Sequence, residues 1–190
     1  MAMTTLALCS AGLVKLGAQP LAALDDGSAE ATVAGHLYPL VRDSLLSAHP
    51  WGFATRQVRL DAAPQAPEAD YAHAFVLPGD FLRAISIGTG TRGRSVPYRV
   101  VAGTLQADID AIVLTYVFRP AEDGFPPYFD HVLVAHLAAE FCLPLTENST
   151  RAEALRRQAE LMLRDARRLD SQQDTPIGIE DFGLIRARLG

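Results

Sequence analysis

Apolar positions recur along this chain with two different periods, and the switch between them divides it. From Thr4 to Leu16 the residues Leu6, Cys9, Leu13 and Leu16 fall at steps of three and four, which places them on one face of a short helix. The stretch "GAQPLAALDDGS" breaks that helix with Gly17, Pro20 and Gly27. A second helix is predicted from about Ser28 to Ala48, with Val33, Leu37, Leu40, Val41 and Leu45 as its apolar stripe. Pro39 lies inside it and removes a backbone donor, so a kink is expected. His49-Pro50 ends it, because a residue before proline avoids helical geometry.

After Trp51 the period becomes two. In "WGFATRQVRL" the residues Ala54, Arg56, Val58 and Leu60 alternate with Phe53, Thr55, Gln57 and Arg59, as in a half-buried strand. "DAAPQAPEAD" is a loop. "YAHAFVLP", "FLRAISI", "VPYRVVAG" and "AIVLTYVF" read as further short strands, each bounded by Gly, Pro or Asp. The helical period returns at "FPPYFDHVLVAHLAAEFCLPL". Pro126 and Pro127 suit a first helical turn, Phe129, Leu133, Leu137 and Phe141 recur every four residues, and a stop is expected near Pro144. Thr150 and Glu153 form a capping-box pattern for a fourth helix with the stripe Leu155, Met162, Ala166 and Leu169. Glu153–Arg157 and Glu160–Arg164 are favourable i,i+4 pairs.

The last segment, "SQQDTPIGIEDFGLIRARLG", loses all periodicity yet carries Ile177, Ile179, Phe182, Leu184 and Ile185. A solvated tail would not hold so many apolar side chains. They call for a surface to bind. The expected fold class is therefore α+β: a four-helix bundle-like α part, residues 1–50 and 120–172, with an antiparallel β block, residues 51–119, inserted between helices 2 and 3, and an extended C-terminal tail, residues 173–190. No internal repeat and no alternation of strand and helix is present.

Composition changes this picture little. A chain of 190 residues can bury one sizeable core. A net charge of −5 gives no whole-chain signal for nucleic acid or an anionic membrane. Of the 17 basic residues only Lys15 is lysine. Arginine suits interfacial ion pairs, though a GC-rich genome gives the same bias and is the favoured explanation. Cys9 and Cys142 have no CxxC-type partner and read as small core residues of a reducing compartment, without a disulfide. The N-terminus lacks a basic n-region, Lys15 interrupts its apolar part, and no run is long enough to span a bilayer, so a soluble, non-secreted protein is expected.

One stretch raises a specific chemical question. Gly88-Thr-Gly90-Thr-Arg-Gly93 matches the G-x-G-x-x-G of dinucleotide-binding enzymes, follows an apolar run, and has Asp108 about twenty residues on. That chemistry needs a helix to open at the third glycine, where backbone N–H groups and the helix dipole meet the pyrophosphate. Here "RSVPYRVVAG" follows, with Pro97 and valines that favour a strand. The residues favour a glycine-rich hairpin tip. Arg92 and Arg94 at that tip, with Arg83 and Arg99, make a local basic spot able to touch phosphates; a solvated loop is the plainer reading.

His36, His49, His73, His131 and His136 show no metal-ligand spacing, and Asp130 and His131 are adjacent on a helix, where their side chains diverge. The acids Asp25, Asp26, Asp80, Glu122 and Asp123 sit at turns or helix starts, where they serve caps and dipoles. Neither a nucleophile–base signature nor a carboxylate pair placed for acid–base work appears. No catalytic residue, cofactor or metal is expected.

Several stretches, taken in order, resemble one family. The segment from Leu13 to Ala54 has a leading helix ending in Leu16-Gly17-Ala18, a proline-containing turn and Leu24-Asp25-Asp26-Gly27. A long helix follows, with Tyr38 and Arg42-Asp43, and then the exit His49-Pro50-Trp51-Gly52-Phe53-Ala54. Leu77, Pro78, Asp80 and Leu82 form a Leu-Pro-x-Asp-x-Leu element. "YVFRPAEDGFPPYFDHVLVAHLAAEFCLPLT" pairs a strand end with a proline-led aromatic helix, and an arginine-rich helix comes next. This ordered set, from about Leu6 to Leu169, resembles the tail tubular protein A family of short-tailed phages; the last twenty residues match least. Related adaptors occur in gene transfer agents and some long-tailed phages.

The resemblance implies a head-to-tail connector, a structural virion protein without catalysis. Such proteins form a homo-oligomeric ring, commonly of twelve copies, beneath the portal protein. They join it to the tail nozzle or a stopper protein, and genomic DNA passes through the channel without sequence specificity. The implied location is the virion neck, with the host cytoplasm during assembly and no membrane partner. On this reading Ile177, Ile179, Phe182, Leu184 and Ile185 bind the portal. The competing expectations are a small cytosolic nucleotide-binding protein or enzyme using residues 88–93, and a small regulatory module.

Overall fold

A computed structural model of the chain describes residues 3–88 and 96–173. The fold is α+β, with helices from both ends of the chain and antiparallel strands between them. The helices are α1 (Thr5–Lys15), α2 (Ala29–Ser47), α3 (Pro127–Thr146) and α4 (Ser149–Ser171).

Local chemistry sets the helix ends. The Thr4 hydroxyl caps α1 by accepting from the Ala7 N–H at 3.2 Å, and Ser28 caps α2 by accepting from the Ala31 N–H at 3.0 Å. Helix α2 runs through Pro39 without interruption. Pro39 and Gly35 lie on its exposed side, so the carbonyl that Pro39 cannot serve faces water. Helix α3 does not stop at Pro144. It continues to Thr146 and closes at Glu147, whose backbone is left-handed (φ 52°) and whose N–H donates to the Leu143 carbonyl. Only Glu147 and Asn148 then separate α3 from α4, so the cap falls on Asn148, which accepts from the Arg151 N–H at 2.9 Å. The expected Thr150–Glu153 box is displaced, and Glu153 pairs with Arg157 instead.

Helix α3 is the hub. Phe129, Leu133, Leu137 and Phe141 are all fully buried, and α1, α2 and α4 pack around them. Gly12 lets α1 approach closely, since a Cβ there would lie 3.1 Å from the Leu137 Cβ. The predicted stripes of α2 and α4 are shifted. On α2 the buried seam is Ala31, Ala34, Tyr38, Leu45 and Leu46, while Leu40 is 66% exposed. On α4 it is Ala152, Ala159, Ala166 and Asp170, while Leu169 is 45% exposed. The α4 alanines are seven apart and the α2 pair three apart; both allow close packing.

Among the described residues six strands form two sheets. β1 (Thr55–Arg59), β3 (Phe81–Gly88) and β6 (Val113–Phe118) pair in the order β1-β6-β3, with irregularities in the β3–β6 register after Phe81 and Ala84. β2 (His73–Val76), β4 (Tyr98–Val101) and β5 (Thr104–Ala107) pair in the order β2-β5-β4. The central β5, "TLQA", is a strand the alternation did not predict, because its four residues include two polar ones. β3 and β4 belong to different sheets, so the glycine-rich segment joins sheets and is not a hairpin tip. The tight hairpin lies at Ala102-Gly103, both with positive φ (48° and 74°), between β4 and β5.

β6 connects the layers. Leu114 and Tyr116 face a cluster with Leu60, Phe75, Ile87, Leu105 and Ile112 between the sheets. Val117, on the opposite face, packs into the helical core, as do Trp51 and Ala54. The strand region expected over 51–119 thus supplies part of the helical core.

Candidate interaction surface

The residues singled out from the sequence fall largely outside the described ones. Arg92 and Arg94 lie in the segment 89–95, and Ile177, Ile179, Phe182, Leu184 and Ile185 lie in 174–190. The flanking arginines are not brought together as one spot. Arg83 is on β3, whereas Arg99 is on β4 in the other sheet and pairs with Asp70 at 3.3 Å. The geometry around the glycine pattern differs from that of a dinucleotide site. Among the described residues, Val96 and Pro97 lead directly into β4, and no helix opens there. Asp108 accepts the Ala72 N–H at 3.1 Å in a loop.

A polar joint that the sequence did not single out forms where α4 ends. Asp170 is 5% exposed. Its carboxylate accepts the Tyr128 hydroxyl at 2.7 Å and the Gly52 N–H at 3.1 and 3.2 Å, and His49 Nε2 lies 3.4 Å away. Burial holds the His49 pKa below its usual value, and burial together with the Asp170 carboxylate raises that of Tyr128. The two hydrogen-bond donors, a phenol and a backbone amide, carry no charge. His49 packs edge-on against Trp51, which is fully buried and donates its indole N–H to the Leu45 carbonyl at 2.9 Å. One carboxylate ties the end of α4 to the α2–β1 connection and to the first turn of α3. Its signal in the sequence was an acid one turn past Ala166 on a core-facing seam, near a helix C-terminus where the dipole disfavours it.

A second joint is built from ions. Asp43 accepts the Arg119 guanidinium bidentately, at 2.6 Å from Nη2 and 3.0 Å from Nε, and also pairs with Arg42 at 2.9 Å. Arg42 and the Tyr38 hydroxyl reach Glu122 at 3.3 and 2.9 Å. Although burial opposes it, these arginines hold the Asp43 carboxyl below its usual range. Nearby, Asp80 accepts from Tyr116 at 3.0 Å and pairs with Arg56 at 3.2 Å, fastening the start of β3 to β6 and β1.

Beside the Asp170 joint, α3 and α4 splay to leave an apolar groove of about 400 Å³. Tyr128, His131 and Val132 line one wall, and Met162, Asp165, Ala166 and Leu169 line the other. Tyr128 belongs to both features, so the hydrogen bond to Asp170 fixes one wall of the groove.

The remaining chemistry is that of a core. Cys9 and Cys142 are buried free thiols, and burial pushes the Cys9 pKa up to about 12. Asp130 is buried with one oxygen unpaired, and burial raises its pKa to about 6. Among the described residues no group of His, Cys, Asp and Glu is arranged to hold a metal, and no helix is long and apolar enough to cross a membrane. No protein-family model matches the chain, and no curated protein matches it either.

Proposed function

We propose that this protein is a structural adaptor of a phage-like particle, a subunit of a homo-oligomeric ring that joins a portal to a tail nozzle or stopper and surrounds the DNA channel. The observation that carries this reading is the ordered resemblance to the tail tubular protein A family from about Leu6 to Leu169. The motif residues that make up the resemblance are used in this chain as structural joints. Arg42-Asp43 anchors α2 to the chain after β6, Asp80 fastens β3, and His49 and Gly52 meet Asp170. That use fits a protein whose task is to hold shape and transmit contact, with no catalysis and no bound cofactor.

In this proposal Ile177, Ile179, Phe182, Leu184 and Ile185 engage the portal, by the ordering of a terminal segment in a repeating groove. Arg92 and Arg94 contact a neighbouring subunit, the tail or DNA. The modest net charge of −5 suits a channel through which DNA slides. The test is to mix the chain with a portal protein from the same genome and measure complex size by light scattering. A large complex that is lost when the chain is cut before Thr175 is expected. A chain that ignores the portal overturns the proposal, and a rise in melting temperature with millimolar NAD or ATP would favour nucleotide binding instead.

A further inference from the structure

The groove between α3 and α4 is apolar, open and placed at the point where the chain leaves its last helix. Met162, Ala166 and Leu169 line it, and α4 ends at Ser171. Seventeen residues follow the described part, 174–190, and six of them are large and apolar. We infer that in the free protein this segment folds back and seats Ile177 and Ile179 in the α3–α4 groove of its own chain. The inference stands apart from the adaptor reading and needs no partner.

Length and position favour this occupant. From Ser171 back to Ala166 and Met162 is a distance of about 8 to 14 Å along the helix. Gln172 keeps helical geometry and the Gln173 N–H bonds the Asp170 carbonyl, so an extended run starts after Gln173; from there it spans about 14 Å to Ile177, past the level of Ala166, and Ile179 passes that of Met162. Ile177 and Ile179 are two apart, a spacing that turns both side chains of an extended segment to one wall. The groove volume of about 400 Å³ falls within the range of pockets that enclose several apolar groups. A tether this short holds the segment at an effective concentration on the order of millimolar, above that of any free competitor at ordinary protein levels. The rigid wall is supplied by Tyr128, pinned through its hydroxyl to Asp170. A partner that binds these apolar residues must first displace them from the groove.

Met162 provides a direct readout. The chain has three methionines, Met1, Met3 and Met162, and only Met162 lines the groove. With methyl-¹³C methionine in the full chain, the Met162 methyl resonance is expected to move when Ile177 and Ile179 are both replaced by Asp. The Met3 resonance should stay in place. A chain ending at Gln173 should show the same Met162 position as the double variant, and adding a synthetic peptide of residues 174–190 should return it to the full-chain position. The full-chain position should not depend on protein concentration. An identical Met162 resonance in the full chain and the double variant overturns the inference. A resonance that moves with concentration, together with a doubled mass, assigns the groove to a second copy and overturns it equally. If the shortened chain fails to fold, the full-length double variant still decides.

Discussion

Two joints hold the helices in register, and they use opposite electrostatics. At Asp170 one buried carboxylate is satisfied by neutral donors, a phenol and a backbone amide, with an imidazole nearby. At Asp43 the bonds run between full charges, and the Arg119 and Asp43 side chains are 39% and 28% exposed. A buried acceptor cannot be removed cheaply, because its donors lose water and protein partners together. A partly solvated ion pair exchanges protein contacts for water at little cost and is screened by salt. The first joint should therefore fix the geometry of the α3–α4 face, whereas the second should orient α2 on the strands with little net stabilisation.

Mutations can separate the two. Asp170→Ala should have the largest effect, a loss of about 3 kcal/mol in denaturant unfolding, unchanged by added salt. Tyr128→Phe removes one donor and should cost about 2 kcal/mol, with the groove wall loosened. Asp130 sharpens the point, being a buried carboxylate with an unpaired oxygen. Its pKa is raised from 3.8 to about 6, so the folded state binds the proton more tightly. Its favourable contribution is full below 3.8 and lost as pH rises through about 6. Asp130→Asn should thus stabilise the protein by between about 1 and 2 kcal/mol at pH 7, a gain that vanishes at pH 4 and below in thermal melts. Asp43→Ala should have the smallest effect, about 1 kcal/mol at low salt and less at high salt. A salt-sensitive Asp170→Ala, or an Asp43→Ala as costly as it, would erase the contrast.

Parts of this arrangement can be read from sequence and parts cannot. The four helices are legible because apolar residues at 3.6-residue spacing mark them, and α3 carries Phe129, Leu133, Leu137 and Phe141 in plain view. The seams of α2 and α4 are less so, since alanine is a weak hydrophobic signal yet permits the closest packing. Most strands show alternation, but β5 is short and half polar, and its place at the centre of a sheet comes from pairing with β2 and β4. Pairing also decides that the glycine-rich stretch spans two sheets. The Asp170 joint was hidden for a different reason. Its partners, at positions 49, 52 and 128, are distant in sequence, and only packing around α3 brings them together.

The adaptor reading meets its most direct test in the mass of what the chain forms on a portal. Mass photometry of the purified portal, before and after adding this 20.5 kDa chain, should show one discrete increase that equals a whole ring of copies. The increase should be absent for a chain ending at Gln173. A portal of unchanged mass, with the chain still present as single copies, would contradict the account.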